Sequence, residues 1–487
     1  MRGGVIVRGN LLTTATSNLL AAEGALHTRS AELRKELGLK DVTLAIILAV
    51  IVPDFFGTAA KAGPSHVAYW LLAIALFFIP QAFVVAHLNR RMPLEGGLYE
   101  WARLAFNDGV GFLVAWNLWV FATLYTAVIG LIATSFLSYA LGPRAAWLET
   151  SVPAIVGALV VFVGLLMLVG RFGLGVGKWV SNAGCIFILA ALGVLMIMPV
   201  AAVSRGILAE YHPFRLVLPP LTLYSMSIFG KMTFGAMVGL EYVAIFAGES
   251  RDAGTMYSKA IRVAAPVIAL LYILATSAIQ AFVPPDAVDV IGPIPQALSR
   301  GAEAFGLGKF VAPAAIALLF GNYLSSFNLN FSGNARLPMV AGWDHLLPEW
   351  FTRLHAKYKT PGNSILFVGG VAVAAGCLAL LGAGAEEAYE LLLTWSFTFY
   401  GLAYLGMFAI PLLARKEMGL RPGWWLRLAA ASGFGVTLLF VALSAFPIIQ
   451  VQNRGWYAVK MIAVVVAADG LGWLVYRAGK RRRALSA

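Results

Sequence analysis

Long apolar runs recur along the whole chain, and they leave it few ways to fold. Each run is about 20 residues long, the length that an α-helix needs to cross the hydrocarbon core of a bilayer. Because lipid offers no hydrogen-bond partners, a crossing segment must satisfy its own backbone, as a helix does. Only 12% of the residues are charged, about half the share found in soluble domains. We therefore predict an all-α polytopic membrane protein with about 12 transmembrane helices.

The predicted spans are numbered in chain order, from span 1 to span 12. They cover residues 41–62, 66–90, 108–141, 152–169, 176–203, 221–247, 259–283, 309–335, 363–382, 388–414, 426–448 and 457–477. An even number of spans places both termini on the same side of the membrane.

The basic residues indicate which side that is. About three quarters of the 36 lysines and arginines fall in the termini and in the loops on the same side, and such residues favour the cytoplasmic face. We predict a multi-pass protein of the cytoplasmic (inner) membrane with both termini in the cytoplasm. The basic run from Arg477 to Arg483 then lies near anionic lipid. The net charge of +13 reflects this topology, and we predict no nucleic-acid partner.

Two of the apolar runs are interrupted by residues that disfavour a helix in lipid. Span 1 contains Pro53-Asp54, and span 6 contains two glycines shortly before Glu241. Glycine and proline weaken or break helices, and a carboxylate at membrane depth usually marks a substrate or ion pathway. Interrupted segments at corresponding positions in two halves of a chain indicate the binding site of a secondary transporter.

Several short motifs along the chain form a recognisable series. The most specific motif runs from Phe78 to Phe83 and from Arg91 to Trp101, with a proline and a Gly-Gly-x-Tyr-x-Trp pattern after a carboxylate. Further stretches are Gly239–Glu241 with Gly248–Ser250, then Asn334–Arg336, then Asp344–Pro348 with Pro361 after it. In type and order these motifs resemble the amino acid–polyamine–organocation (APC) superfamily, and the resemblance covers roughly residues 40–415. Within the superfamily, Pro80 and Glu95-Gly96-Gly97 most resemble the branch that contains glutamate/GABA exchangers and polyamine permeases.

The resemblance implies a leucine-transporter-like fold. Spans 1–5 and 6–10 would form a 5+5 inverted repeat, with helices 1 and 6 unwound in mid-membrane. The breaks at Pro53–Thr58 and Phe234–Gly239 fall where the family unwinds. The predicted organisation is a cytoplasmic tail over residues 1–40, a transport core over 41–414, two additional transmembrane helices over 415–477 and a basic tail over 478–487.

The function that the resemblance implies is transport of an amino acid or a related amine by alternating access, as an ion-coupled symporter or an exchanger. A polyamine-specific permease and a non-transporting amino-acid sensor on the same fold remain alternatives. The substrate, the coupling ion (Na⁺ or H⁺) and the oligomeric state stay open.

The predicted substrate-binding residues lie at the two breaks. An unwound helix frees backbone N–H and C=O groups, which can bind a carboxylate or an ammonium group. Glycine at such a place lets a ligand approach the backbone, and aromatic rings can wall the pocket, with Trp116, Tyr125, Trp395 and Tyr400 adding to it from spans 3 and 10. The predicted set is Pro53, Asp54, Phe55, Gly57, Thr58, Phe234, Gly235, Ala236 and Gly239, with Phe56 as a further gate residue.

Asp54 departs from the small residues that the family usually has in this stretch. Two functions remain open for it: the counter-ion of a substrate ammonium group, or a carrier of the coupling proton. The alternative is a structural ion pair, for instance with Lys231 or Lys61.

Five polar residues are predicted to take part in gating or coupling: Glu241, Lys231, His87, Ser325 and Ser326. Glu241 would hold the broken helices, whereas Lys231 could instead extend to the outer interface. His87 stands where the family usually has glutamate, and a histidine satisfied within the core is the alternative to one that titrates. The adjacent hydroxyl groups of Ser325 and Ser326 could hold Na⁺ with span 1 carbonyls, or simply bond to neighbouring helices.

Enzymatic activity is not expected. The six histidines show no metal-ligand spacing, and no Ser–His–Asp arrangement can be argued. Cys185 and Cys377 both fall inside apolar runs, so we interpret them as small core residues. We predict no cofactor and no metal site apart from the Na⁺ site just described.

Overall fold

The computed structural model describes residues 39–91, 97–172, 177–241, 253–338, 347–355, 358, 360–413, 422–451 and 453–486. The chain is predominantly α-helical within these ranges, and no β-strand occurs in them. The predicted tail of residues 1–40 lies outside them except for its last two residues.

The helices follow the predicted spans closely. In chain order they are α1 Leu39–Val50, α2 Phe55–Ala60, α3 His66–Ala73, α4 Ile79–Arg91, α5 Leu98–Ala105, α6 Asp108–Ala127, α7 Ile129–Leu141, α8 Trp147–Thr150, α9 Val152–Phe172, α10 Gly177–Ser204, α11 Leu223–Met237, α12 Ala253–Phe282, α13 Pro293–Ala304, α14 Val311–Asn334, α15 Gly362–Ala379, α16 Ala385–Leu413, α17 Trp424–Leu443 and α18 Arg454–Ser486. Spans 1 to 12 correspond to α1–α2, α3–α4, α6–α7, α9, α10, α11, α12, α14, α15, α16, α17 and α18.

Within the described residues, nine helical segments are long and apolar enough to cross a membrane. The other three predicted spans differ for visible reasons. Spans 1 and 6 are interrupted, and α14 of span 8 carries polar residues such as Asn322, Ser325 and Asn328 that lower its hydropathy. The described chain is therefore an all-α polytopic membrane protein, as predicted.

Both predicted helix breaks are confirmed, but their bounds differ from the predicted Pro53–Thr58 and Phe234–Gly239, because residues 55–58 are helical in α2 and residues 234–237 are helical in α11. In span 1, residues 51–54 are non-helical, because Pro53 has no N–H group to continue the hydrogen-bond ladder of α1. In span 6, Val238 is extended, with ψ of 169°. Gly239 has φ of +109°, a conformation that residues with a side chain rarely adopt. Helical backbone resumes at Leu240.

The packing of the helices agrees with a 5+5 inverted repeat. Such a repeat relates span 3 to span 8 and span 10 to span 5. The two most extensive helix–helix packings are α6 of span 3 on α16 of span 10, and α10 of span 5 on α14 of span 8. The pair of spans 3 and 10 in one arrangement therefore corresponds to the pair of spans 8 and 5 in the other, as an inverted repeat requires. It likewise relates the packing of span 1 on span 7 to that of span 6 on span 2.

Two spans differ from their predicted form. Span 3 is divided at Val128 into α6 and α7. The helix of span 12 continues past residue 477, since α18 runs to Ser486 through the basic segment. The boundary between membrane span and tail at residue 477 stays a prediction.

Candidate functional site

The break in span 1 places Asp54 in the protein core, with 1% of its surface exposed. Its carboxylate accepts hydrogen bonds from the hydroxyl groups of Tyr125 in span 3 and Tyr389 in span 10, both at 2.9 Å. The hydroxyl group of Tyr323 in span 8 also interacts with it. In the described part of the chain, no lysine, arginine or histidine forms an ion pair with Asp54. The predicted alternative, a structural ion pair of Asp54 with Lys231 or Lys61, is therefore wrong.

Neutral hydroxyl donors leave the charge of such a carboxylate uncompensated. Burying an ionised carboxylate is costly unless a cation pairs with it or a proton neutralises it. Hydrogen bonds from tyrosine stabilise the anion but bring no formal positive charge. The break in span 1 therefore offers a buried position at which an ammonium group or a proton would be favoured.

The break in span 6 is held by tyrosines of span 10. Glu241 is 4% exposed and accepts hydrogen bonds from Tyr400 and Tyr404. The Tyr404 oxygen in turn accepts from the Gly239 backbone N–H at 3.0 Å and from Nε2 of Gln81 in span 2 at 2.7 Å. One hydroxyl group thus uses its donor and both acceptor positions. These contacts fit the interpretation of Glu241 as the partner of a broken helix, and its role in gating stays a prediction.

A single side chain, Tyr272 of span 7, connects the two breaks. Its hydroxyl group lies 2.8 Å from the Val50 carbonyl oxygen of span 1 and 2.7 Å from that of Ala236 in span 6, and its one proton serves one of them at a time. The oxygen also accepts from the Val52 N–H at 3.1 Å. Each unwound segment leaves backbone groups without a helical partner, and the Tyr272 hydroxyl group bonds to such groups from both segments. Tyr272 carries no signal in the sequence that distinguishes it from other core aromatics.

Aromatic rings fill the space between the breaks. The ring of Phe55 packs on Gly235, where an added Cβ atom would lie 2.0 Å from its Cζ atom. Phe397 of span 10 meets Phe55 edge-on at 4.8 Å. Phe56 packs on Tyr272 at 5.0 Å. Phe55 and Phe56 therefore lie next to the breaks, as predicted, and their role as gate residues stays a prediction.

Phe234 faces elsewhere. Its ring stacks on Phe440 of span 11 at 4.8 Å and lies edge-on to Phe77 of span 2 at 5.5 Å. It is part of the aromatic packing between spans 2, 6, 10 and 11, and its role as a pocket wall stays a prediction.

Gly57 and Thr58 lie in α2, just beyond the break. A Cβ atom on Gly57 would lie 3.2 Å from the Cα atom of Val290 and the Cγ atom of Pro293. This close approach is to the protein's own loop, as helix packing requires. Thr58 is buried and lines a cavity of about 10 Å³ next to Phe55, enough room for about one water molecule.

The chain is similar to known proteins over most of its length. The profile of the family described as amino acid permease matches residues 37–468. The chain belongs to the amino acid permease family. This confirms the predicted membership of the APC superfamily, and the match extends past residue 415, where the motif resemblance ended, into span 12.

Relatives of the permease are transporters of bacteria and plants. An uncharacterised transporter of Legionella pneumophila is 26% identical over 415 residues, which cover 82% of this chain and 87% of that protein. The low-affinity putrescine importer PlaP of Escherichia coli is 27% identical over 402 residues, covering 79% and 83%. The probable agmatine/putrescine antiporter AguD of Lactococcus lactis is 24% identical over 254 residues, covering 52% and 53%. A chloroplastic cationic amino acid transporter of Arabidopsis thaliana also matches.

Polyamine permeases are therefore among the relatives, as the resemblance to that branch predicted. The permease is a multi-pass membrane transporter of amino acids or amines.

Lys231 does not extend to the membrane interface, which corrects one alternative given for it. It is 3% exposed and forms an ion pair with Glu390 of span 10, and its Nζ atom lies 3.4 Å from Oγ1 of Thr394. Burial is the reason for the difference, because Lys231 lies on the face of α11 that packs inside the bundle. Its role in gating stays a prediction.

Glu390 was missed by the sequence analysis although a signal was present. It interrupts the apolar run of span 10 just as Glu241 interrupts span 6. Tyr389 and Tyr323 were also missed, because a tyrosine in an apolar span gives no indication of its partner. Of the four aromatic residues proposed from spans 3 and 10, Tyr125 and Tyr400 do contact the acids. Trp116 instead donates to the Ala468 carbonyl in span 12 at 3.0 Å.

The remaining coupling candidates lie away from these contacts or bond to neighbouring helices. The Ser325 hydroxyl group donates to the Val180 carbonyl of span 5 at 2.9 Å, and Ser326 is half-buried. His87 is half-buried near the C-terminal end of α4. The Na⁺ site at Ser325 and Ser326 and the role of His87 stay predictions.

Proposed function

We propose that this permease is a secondary active transporter of cationic amines that works by alternating access in the cytoplasmic membrane. The observation that carries the proposal is Asp54, a carboxylate buried at the break of span 1 among neutral tyrosine hydroxyl groups. An ammonium group supplies the positive charge that these donors lack. Two of the relatives carry putrescine in their names, which supports an amine over a neutral amino acid.

The tyrosines suggest how binding would be coupled to movement. Tyr125 and Tyr389 connect Asp54 to spans 3 and 10. An ammonium group that binds this carboxylate competes with them for its oxygen atoms. Binding would therefore loosen span 1 from spans 3 and 10, while Tyr272 keeps the broken segments of spans 1 and 6 in contact. The two breaks provide the hinges on which the half-helices would turn.

Sidedness and energy source form part of the same proposal. The distribution of lysine and arginine supports cytoplasmic termini, which would place the Lys231 end of span 6 towards the outside. Coupling to Na⁺, coupling to H⁺ and substrate exchange are distinguished by experiment.

The experiment is uptake by the purified full-length protein in proteoliposomes. Labelled putrescine, agmatine, lysine, leucine and glutamate are supplied with a Na⁺ gradient, with a pH gradient, or against vesicles preloaded with the same compound. We expect uptake of a cationic amine above that of protein-free vesicles. Uptake of leucine or glutamate alone would contradict the proposal, and binding without uptake would favour the sensor alternative.

A further inference from the structure

The buried ion pair between Lys231 and Glu390 lies beside the predicted substrate path. Lys231 and Glu390 line the same cavity as Phe55 and Thr58 of α2, together with Phe397 and Phe440. Phe55 directly follows Asp54 in the chain, and Glu390 directly follows Tyr389, the residue whose hydroxyl group donates to Asp54. Each acid is thus one residue along the chain from a residue that lines the cavity or bonds to the other acid, and the rings of Phe55 and Phe397, both in the cavity wall, meet edge-on.

Stability alone is a weak reason for such a pair. Two charges lose their hydration when buried, and replacing a buried ion pair with apolar residues is often neutral or stabilising. Lys231 and Glu390 also connect spans 6 and 10, the elements that carry the second break and the tyrosines that hold both acids.

The surroundings of the Lys231 ammonium group are those of a binding site for a primary amine. Its Nζ atom meets the Glu390 carboxylate and the Thr394 hydroxyl group. Three phenylalanine rings, Leu393 and Thr58 line the rest of the cavity, and mostly apolar walls with few polar groups suit an alkyl chain. The lysine side chain is itself a primary ammonium group on a four-carbon chain.

We infer that Lys231 occupies an ammonium subsite formed by Glu390 and Thr394, and that a substrate with two ammonium groups displaces it. One ammonium group of that substrate binds Asp54 and the other binds Glu390. The inference rests on the proposed function and names its substrate class, an alkyl diamine. Glu386 precedes Glu390 by one helical turn on the same face of α16, so it offers the displaced lysine another carboxylate.

The test compares two amines that differ by one ammonium group, 1,4-diaminobutane and 1-aminobutane. Binding of each to the purified full-length protein is measured for the wild type, Lys231→Met and Glu390→Gln. We expect Lys231→Met to bind diaminobutane about tenfold more tightly, because the resident competitor is gone. We expect Glu390→Gln to weaken diaminobutane about tenfold more than aminobutane, the size of one charged hydrogen-bonded contact.

The chain offers a matched control on the same helix. Lys460 of span 12 pairs with Glu387 of span 10 at 3.0 Å, and neither residue lines the cavity. Lys460→Met and Glu387→Gln make the same chemical changes and are expected to leave the affinity ratio of the two amines unchanged. An equal effect of Glu390→Gln on both amines, or no gain in Lys231→Met, would overturn the inference.

A lone buried charge can prevent folding, so the double variant Lys231→Met/Glu390→Gln is included. It should bind the two amines with similar affinity, and a retained preference for diaminobutane would overturn the subsite. The proposed function is judged separately. Uptake of a single-ammonium substrate that depends on Asp54 would sustain it even if the diamine subsite fails.

Discussion

The candidate site depends most on tyrosine residues, whose hydroxyl groups contact both breaks. They hold Asp54 at one break and Glu241 at the other, and in both cases span 10 supplies a donor. Tyr272 differs from these tyrosines, because its hydroxyl group bonds to backbone groups of both broken spans and not to an acid. A neutral donor can be displaced by a cation more easily than a paired arginine, which suits a site that must bind and release.

Tyr272→Phe tests this role at the residue scale. The change removes the only polar atom of the side chain and leaves the Val52 N–H and a carbonyl group without this partner. We expect a loss of about 1–3 kcal/mol in the free energy of unfolding, measured by denaturation of the purified protein in detergent. Tyr211→Phe is the control, because the buried Tyr211 hydroxyl group has no partner within the described residues. An equal effect of the two variants would contradict the bridging role.

The broken spans are the elements that sequence reasoning could locate. Pro53 and Gly239 disfavour a regular helix through their own backbone chemistry, so their effect can be read from the chain itself. Gly235 remains helical within α11. The partners of the breaks could not be found in this way. Tyr389 is 335 residues from Asp54, and Tyr404 is 165 residues from Gly239, so these contacts exist only once the helices have packed. Glu390 was predictable in the same way as Glu241, because each is a carboxylate within an apolar span.

Gly235→Ala tests the contact between the two broken spans. The added Cβ atom would overlap the Phe55 ring, so the ring must leave the position between Gly235 and Phe397. We expect a destabilisation of about 1–3 kcal/mol, typical of overpacking, together with slower uptake. Gly370→Ala in α15 is the control, since an added Cβ atom there meets no atom within 4 Å. It should be neutral or slightly stabilising, and a Gly235→Ala protein that behaves like it would refute the close contact.

At the scale of the whole molecule, the number and order of spans could be predicted because hydropathy and length are local properties. The packing of span 3 on span 10, and of span 5 on span 8, was not predicted, because it joins helices that are far apart in the chain. The family resemblance implied only the inverted repeat that relates these two pairs. Helix ends were less predictable than spans. Lysine and arginine favour the end of a membrane span, but they are also good helix formers, so α18 continues through them.

The orientation of the molecule is open to a direct test by cysteine labelling. His212→Cys, in the exposed segment after α10, and Arg481→Cys, near the end of α18, are made separately in a background without Cys185 and Cys377. The charge distribution predicts that a membrane-impermeant maleimide labels position 212 from outside intact cells, and position 481 only after permeabilisation. The reverse pattern would invert the proposed topology.

The most direct test of the central claim is putrescine exchange in proteoliposomes without any ion gradient, comparing wild type with Asp54→Asn. Asp469→Asn is the matched control, because Asp469 of span 12 is half-buried and bonds to Asn117 away from the breaks. If Asp54 is the counter-ion of the substrate, Asp54→Asn lowers exchange about thirtyfold or more, whereas Asp469→Asn exchanges like wild type. If exchange survives in Asp54→Asn and only gradient-driven accumulation is lost, Asp54 carries the coupling proton and the claim is wrong.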